Sequence, residues 1–251
     1  MIEVKAIEKK FGTNVILDGV DIQFPKGKIT SLIGSNGAGK STLLSIISRL
    51  LPQDKGTVLL EEKDIKKIND RHLAKHISIL KQFNHTNQRL TVEELVSFGR
   101  FPHSQGKLDE EDREKIEQAL DFLALKNLRD EFIDELSGGQ RQRAYMAMIV
   151  AQDTEYILLD EPLNNLDMKH SVQFMKMMRR LTTELGKTVL VVLHDINFAS
   201  RYSDYIIALK HGKIKYFDKT HNIIKADLLK EVFDLDFEVY EYHNCKICNY
   251  F

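Results

Sequence analysis

Gly34-Ser35-Asn36-Gly37-Ala38-Gly39-Lys40-Ser41-Thr42 is the stretch from which the rest of the chain can be read. It matches G-x-x-x-x-G-K-[ST] in full. A short apolar run at 29–33 precedes it, and a segment of helical character at 40–50 follows. Strand, glycine-rich loop and helix form the context in which this pattern holds phosphate. Its parts have separable reasons. The glycines let successive backbone N–H groups converge into one concave nest. The following helix adds the partial positive charge of its N-terminus. Lys40 supplies a full charge to the β- and γ-phosphates of a nucleotide, and Ser41 a hydroxyl to Mg²⁺. The same order of elements opens an α/β layered architecture.

Outward from this loop, 2–8 and 20–24 read as strands before it, and 58–60 and 77–80 as strands after it. An apolar strand at 156–159 delivers Asp160 and Glu161 to its carboxyl end, where ligand sites of α/β sheets lie. Asp160 can hold Mg²⁺ through water, and Glu161 can polarise an attacking water as general base. In Leu136-Ser137-Gly138-Gly139-Gln140-Arg141-Gln142-Arg143, Ser137 reads as a helix N-cap. The two glycines expose backbone N–H groups ahead of a helix at 140–151, which makes a second anion-binding helix start. One phosphate loop already cradles one nucleotide, so this second start suits a nucleotide held elsewhere; a plain capped helix with a glycine-rich entry accounts for the same residues. Between these motifs, apolar residues recur at helical spacing (Val92, Leu95, Val96, Phe98, then Ile116, Leu120, Leu123), which predicts a mainly helical part over 91–134. Further on, 168–185 reads as an amphipathic helix, and 188–193 as a β-branched strand leading to His194-Asp195. Segments 205–210 and 213–217 flank the hairpin signal His211-Gly212, 222–232 reads as helix, and 237–242 as a terminal strand.

Composition narrows the class. The 36 Lys+Arg and 37 Asp+Glu nearly cancel, which argues against a general nucleic-acid binder. Charged residues make up 29% with both signs mixed, which argues against disorder. No apolar run is long enough to span a bilayer, and the N-terminus lacks a basic segment followed by an apolar core. A cytosolic protein that reaches a membrane only through a spanning partner is the expectation. Cys245 and Cys248 form a lone pair at the C-terminus with only His243 nearby, an incomplete zinc set, and are expected to be an inert tail. His72 and His76 are four apart, but Leu73 stands where a zinc protease needs Glu.

In this order, the three motifs resemble the ATPase subunits of ABC transporters, whose signature is the Leu-Ser-Gly-Gly-Gln element found here at 136–140. The resemblance covers nearly the whole chain. It implies an α/β fold of the P-loop NTPase, ABC-ATPase type: a mixed sheet core with an antiparallel β part and an inserted helical subdomain. It implies a single domain over 1–251, with the core at 1–82 and 152–251 and the helical insert at 83–151. The implied cofactors are ATP and Mg²⁺. Phe11 stands where the family stacks an aromatic ring on adenine, often Tyr. Gly34, Ser35, Asn36, Gly37, Ala38, Gly39, Lys40, Ser41 and Thr42 form the phosphate loop, with Ser35 in place of a frequent proline. Gln82 matches the glutamine that reaches Mg²⁺ and the attacking water, so Ser41, Gln82 and Asp160 are the implied metal set. Glu161, His194, Gln82 and Lys40 are the implied catalytic residues, His194 matching the switch histidine at the γ-phosphate. Asp167 matches the aspartate loop at the dimer interface. Ser137, Gly138, Gly139 and Gln140 face the nucleotide of the opposing subunit.

Cargo rests on finer resemblance. The stretch 193–204 resembles importers of ferric siderophores, haem and vitamin B12, and 161–167 is most similar to subunits for catecholate-type siderophores. Leu163-Asn164-Asn165 replaces a common Thr-Thr-Tyr there. The implied protein is the ATPase subunit of an iron-siderophore importer at the cytoplasmic face of the membrane. Its implied partners are a second copy, head to tail, transmembrane permease subunits and, indirectly, an extracytoplasmic siderophore-binding protein. Haem, vitamin B12 or metal-ion import stays open. No nucleic acid is expected: a soluble ABC ATPase acting on nucleic acid or ribosomes would carry long coiled coils or a second cassette, and this sequence has neither.

Overall fold

Ile2 and Val4, then Ile7 and Lys9, are buried along the first strand, and the alternation slips by one residue at Ala6, where a positive φ and a register shift mark a bulge. The computed structural model of the chain describes residues 1–81, 89–164, 166–243 and 245–250. In chain order the elements are β1 (Ile2–Phe11), β2 (Asn14–Gln23), β3 (Ile29–Ile33), α1 (Lys40–Ile47), β4 (Lys55–Leu60), β5 (Lys63–Asp64), α2 (Asp70–Ala74), β6 (Ile77–Leu80), α3 (Val92–Phe98), α4 (Phe101–Ser104), α5 (Glu110–Phe122), α6 (Gly138–Ala151), β7 (Tyr156–Asp160), α7 (Met168–Thr183), β8 (Thr188–Val192), α8 (Ile196–Tyr202), β9 (Tyr205–Lys210), β10 (Lys213–Lys219), α9 (Thr220–Ile223), α10 (Ala226–Phe233), β11 (Glu238–Tyr242) and β12 (Cys245–Asn249). They fall into two compact units, one formed by Met1–Ile68 with Arg179–Phe251, the other by Asn69–Met178.

In the first unit, β1, β2, β4 and β5 make an antiparallel sheet in the order β2-β1-β4-β5. A second set of strands places β3 between β8 and β9, parallel to both, with β10 antiparallel on the far side of β9. Every residue of β3 and β8 is buried. This explains their continuous apolar character, since parallel strands are covered on both faces. Leu43, Leu44, Ile46 and Ile47 of α1 are completely buried, each side chain contributing about 1.5–3 kcal/mol of hydrophobic stabilisation.

The second unit has a parallel pair, β6 and β7, in register from Ile77 opposite Tyr156 to Leu80 opposite Leu159. Helix α6 lies against α3 and α5. Close approach of α3 and α6 is enforced at Gly99, where a Cβ would stand 2.1 Å from the Met148 carbonyl oxygen. The next residue, Arg100, is buried and donates from Nε to Asp112 Oδ1 at 2.8 Å and from Nη1 to the Ala151 carbonyl at 2.9 Å. The guanidinium thereby ties the start of α5 to the last carbonyl of α6, the end of a helix that favours a cation. The described part of the expected helical insert, 89–151, lies inside this unit, which also holds β6, β7 and most of α7.

Two expectations about the C-terminus are corrected. The cysteine segment is a strand rather than a tail: β12 pairs with β11, and Asn197 of α8 clasps the backbone of Cys248, donating to its carbonyl at 3.1 Å and accepting its N–H at 2.7 Å. Burial pushes the Cys248 thiol up to about 11, which keeps it protonated and unreactive. The single helix expected over 222–232 is two, α9 and α10. The carbonyls of His221 and Ile224, at the break, accept from Lys246 Nζ of β12 at 2.8 and 2.9 Å. His72 and His76 meet edge to face at 4.7 Å, and no cluster of three metal-ligating side chains exists among the described residues.

Candidate functional site

The phosphate loop leaves β3 and enters α1 within the first unit. Gly34 has φ +143°, and a Cβ on it would stand 2.2 Å from the Leu209 carbonyl oxygen at the end of β9. On Gly39, at φ +102°, a Cβ would stand 2.7 Å from Leu17 Cδ2 and 2.8 Å from the Ile16 carbonyl oxygen of β2. Only glycine satisfies both the backbone angle and the space at these two positions. Gly34, Ala38, Gly39 and Lys40 are buried, while Ser35, Asn36 and Gly37 form an exposed crest. Gly39 caps α1 with no side-chain hydrogen bond, so the cap residue does not compete for the N–H groups of the first turn, which includes Ser41 and Thr42. Lys40 Nζ folds back over the loop and donates to the carbonyls of Gly34 at 2.9 Å and Ser35 at 3.0 Å. A buried ammonium beside a glycine-rich loop at a helix N-terminus suits a polyphosphate.

Two further residues join this loop in the same unit. β3 and β8 are neighbours with Leu32 opposite Val192, so the loop and His194 leave adjoining strand ends. His194 is exposed there. Asp195 caps α8 by accepting from the N–H groups of Asn197 and Phe198 at 2.7 and 3.0 Å, fixing the turn that carries His194. Phe11 ends β1, paired with Asn14 across a tight turn, and is 51% exposed. Its strand partner β2 supplies the Ile16 and Leu17 that crowd Gly39.

The second unit carries the acids and the glycine-rich turn at 137–140. Asp160 ends β7, and Glu161 follows in left-handed backbone at φ +49°, a strained conformation of the sort that collects at functional sites. Asn164 Nδ2 donates to Glu161 Oε2 at 2.7 Å. Ser137 and Gln140 form a reciprocal capping box: the Gln140 N–H donates to Ser137 Oγ at 3.3 Å, and the Ser137 N–H to Gln140 Oε1 at 2.9 Å. Gln142 Nε2 donates to the Pro162 carbonyl at 3.2 Å. Asp167 Oδ1 accepts from the backbone N–H of His170 at 2.8 Å and from its Nδ1 at 2.8 Å. These two hydrogen bonds hold the Asp167 carboxyl below its usual value.

Comparison with known proteins gives the same reading. The model of the family described as ABC transporter matches residues 17–164. The chain is 53% identical over its whole length, and the whole of the relative, to the petrobactin import ATP-binding protein YclP of Bacillus subtilis (strain 168). It is 49% identical to the petrobactin import ATP-binding protein FatE of Bacillus anthracis, covering 95% of this chain and 96% of that one. The chain belongs to the ABC transporter family. Among solved structures, a bacterial ABC transporter cassette determined as a dimer superposes with a TM-score of 0.76 at 33% identity, covering 88% of this chain and 99% of the other.

As an ABC transporter ATPase the chain binds ATP, and its fold is that of the cassette. The phosphate loop, Phe11 and His194 belong to the first unit, and Asp160, Glu161, Asp167 and the signature turn to the second. Gln82 lies outside the described residues. One residue with a place in this site has no motif of its own: His170, which holds Asp167 and touches the signature turn. Its legible signal is the spacing, since an acid one residue ahead of a helix with His three positions on is an N-cap with a donor at N3.

Proposed function

We propose that this ABC transporter ATPase energises import of an iron–siderophore complex, working as a head-to-tail pair of chains on permease subunits at the cytoplasmic face of a membrane. The observation that carries the cargo is the 53% identity, end to end, to an import protein named for petrobactin, with a second petrobactin relative at 49%. The dimeric form of the similar solved cassette supports the pairing.

Within each site, Lys40 and the loop N–H groups hold the β- and γ-phosphates, and Phe11 offers its exposed ring to the adenine. Ser41 in the first unit and Asp160 in the second each carry a hard oxygen donor of the kind that would hold Mg²⁺, and the ion would neutralise charge on the phosphates. Glu161 orients water for in-line attack on the γ-phosphorus and accepts its proton, so that the bond to the β–γ bridging oxygen breaks. His194 hydrogen-bonds the γ-phosphate. Ser137 and Gly139 of the partner subunit close the site from the other side. The second unit presents a groove of about 660 Å³ lined by Leu90, Phe98, Phe101 and Leu108 with Glu93 and Glu94 at its edge, and Phe98 and Phe101 are 51% and 60% exposed. This groove receives the permease. No helix among the described residues is long and apolar enough to cross a membrane, so the membrane is reached through that partner.

Uptake of radiolabelled iron by cells lacking this chain tests the proposal. Ferric petrobactin uptake is expected to disappear, to return with the wild-type chain and not to return with Glu161→Gln. Unchanged siderophore uptake with loss of haem or vitamin B12 uptake would move the cargo to one of those.

A further inference from the structure

We propose that His170 is a positioning residue of the nucleotide site, locking the Asp167 loop to the signature helix so that both present themselves to the opposing subunit as one rigid piece. The inference rests on the head-to-tail reading above and deepens it. Both hydrogen bonds to Asp167 Oδ1 come from the same residue, one from the backbone and one from the ring of His170. A carboxylate accepts only, so the Nδ1 atom carries the proton and the ring plane is fixed. The opposite edge of that ring then faces α6. A Cβ on Gly139 would stand 2.4 Å from His170 Cδ2, 2.7 Å from Nε2 and 2.9 Å from Cγ. Gly139 is helical, with no positive φ, so it is glycine for space, and the space is taken by this imidazole. Gly138, one residue earlier, has nothing within 4 Å of a Cβ.

A second tie runs in parallel, from Gln142 of α6 to the Pro162 carbonyl, and a third holds Glu161 through Asn164. Among the described residues, the segment that carries Glu161 and Asp167 meets α6 through the ring against Gly139 and through the Gln142 amide against Pro162. Of these, only the His170 contact also fixes Asp167. The ring edge restrains where the signature backbone can go, and its Nδ1–H restrains where Asp167 can go. The Nδ1–H bond is the tie on which the coupling depends, because it holds both Asp167 and the ring that rests against Gly139.

The test uses the full-length chain with three substitutions. His170→Ala removes ring and donor. His170→Phe keeps a ring against Gly139 and removes the donor. His170→Asn keeps a donor near the Nδ1 position with less bulk. Three quantities are read: ATP affinity of the isolated chain, kcat and KM for ATP hydrolysis, and ATP-driven dimerisation in a Glu161→Gln background. His170→Ala and His170→Phe are expected to lower kcat by about tenfold or more, the rate equivalent of a hydrogen bond to a charged group, and to weaken dimerisation. His170→Asn is expected to restore most of both. ATP affinity of the isolated chain is expected to stay within about twofold in all three, since the phosphate loop belongs to the first unit and His170 to the second. His170→Phe behaving as wild type, or His170→Asn failing as badly as His170→Ala while the chain stays folded, overturns the positioning role alone. A Glu161→Gln chain with His170 intact that does not dimerise with ATP overturns the head-to-tail reading and the inference with it.

Discussion

The phosphate loop and the signature turn both lead glycines into a helix, yet they prepare the helix end differently. In the loop, Gly34, Gly37 and Gly39 all have positive φ, and α1 starts with no side-chain cap. In the turn, Gly138 and Gly139 are already helical, and Ser137 and Gln140 satisfy each other's N–H groups in a capping box. The loop is an uncapped turn of left-handed glycines that holds its own lysine against the Gly34 and Ser35 carbonyls. The turn is a helix start whose first and fourth N–H groups are already satisfied by the capping box, and whose glycines keep its surface low. The first suits permanent residence of a nucleotide, and the second suits a surface that meets one only when a partner brings it. Glycine serves conformation in one case and clearance in the other, and substitutions at the two sites should separate these demands.

The supports beneath the turn give the largest effect. Arg100 and Asp112 are both buried, and Arg100 also holds the Ala151 carbonyl at the end of α6, the helix that the signature turn begins. Breaking a buried pair by removing one partner leaves a charge uncompensated and costs about 3–5 kcal/mol. Arg100→Met is therefore expected to destabilise the second unit by that amount in denaturant unfolding, with the phosphate loop's ATP affinity little changed in whatever fraction stays folded. A pH dependence follows. Burial by itself raises the Asp112 carboxyl, but the hydrogen bonds from Arg100 and the Asp109 backbone, with the Arg100 charge, bring it below its ordinary value of 3.8. A depressed carboxyl stabilises the fold above the unfolded value and stops doing so as pH falls through the folded one. Acid unfolding of wild type should thus show a step below about pH 4 that Asp112→Asn lacks.

Next in size is the loop itself. Gly34→Ala combines a left-handed backbone with a Cβ 2.2 Å from the Leu209 carbonyl oxygen, and backbone oxygen cannot move aside as a flexible side chain can. The expected cost is about 3 kcal/mol, read by denaturant unfolding, together with loss of ATP binding by the isolated chain. A Gly34→Ala chain that binds ATP normally would mean the loop is not the rigid turn described above.

The comparison also shows what a sequence can display. The phosphate loop is local: strand, loop and helix are consecutive, so Gly34–Thr42 and the buried strands on either side can be read directly. Asp160 and Glu161 are legible for the same reason, at the end of an apolar strand. His170 is one of nine histidines, and its place depends on Gly139, a contact made through space between two helices. β12 is similar. Cys245–Asn249 has little strand character of its own, and its position comes from Asn197 and Ser200 on α8, far away in sequence. The break between α9 and α10 likewise reflects Lys246, a residue outside the segment that carries the helical periodicity.

The smallest effects sharpen the comparison most, because they set stability against activity at neighbouring residues. Ser137→Ala removes the side-chain half of the capping box and is expected to lower stability by about 1 kcal/mol. Gly138→Ala does the opposite. A Cβ there meets nothing within 4 Å, the backbone is helical, and alanine restricts the unfolded chain, so a gain of about 0.5 kcal/mol is expected. If Gly138 is glycine only to keep the turn low against a nucleotide on the opposing subunit, this more stable chain should bind ATP normally by itself yet hydrolyse it more slowly and dimerise less. Thermal unfolding, ATP affinity of the isolated chain and steady-state hydrolysis decide the matter together. Normal hydrolysis by the Gly138→Ala chain would show that the turn's clearance is set at Gly139 alone, where His170 already explains it.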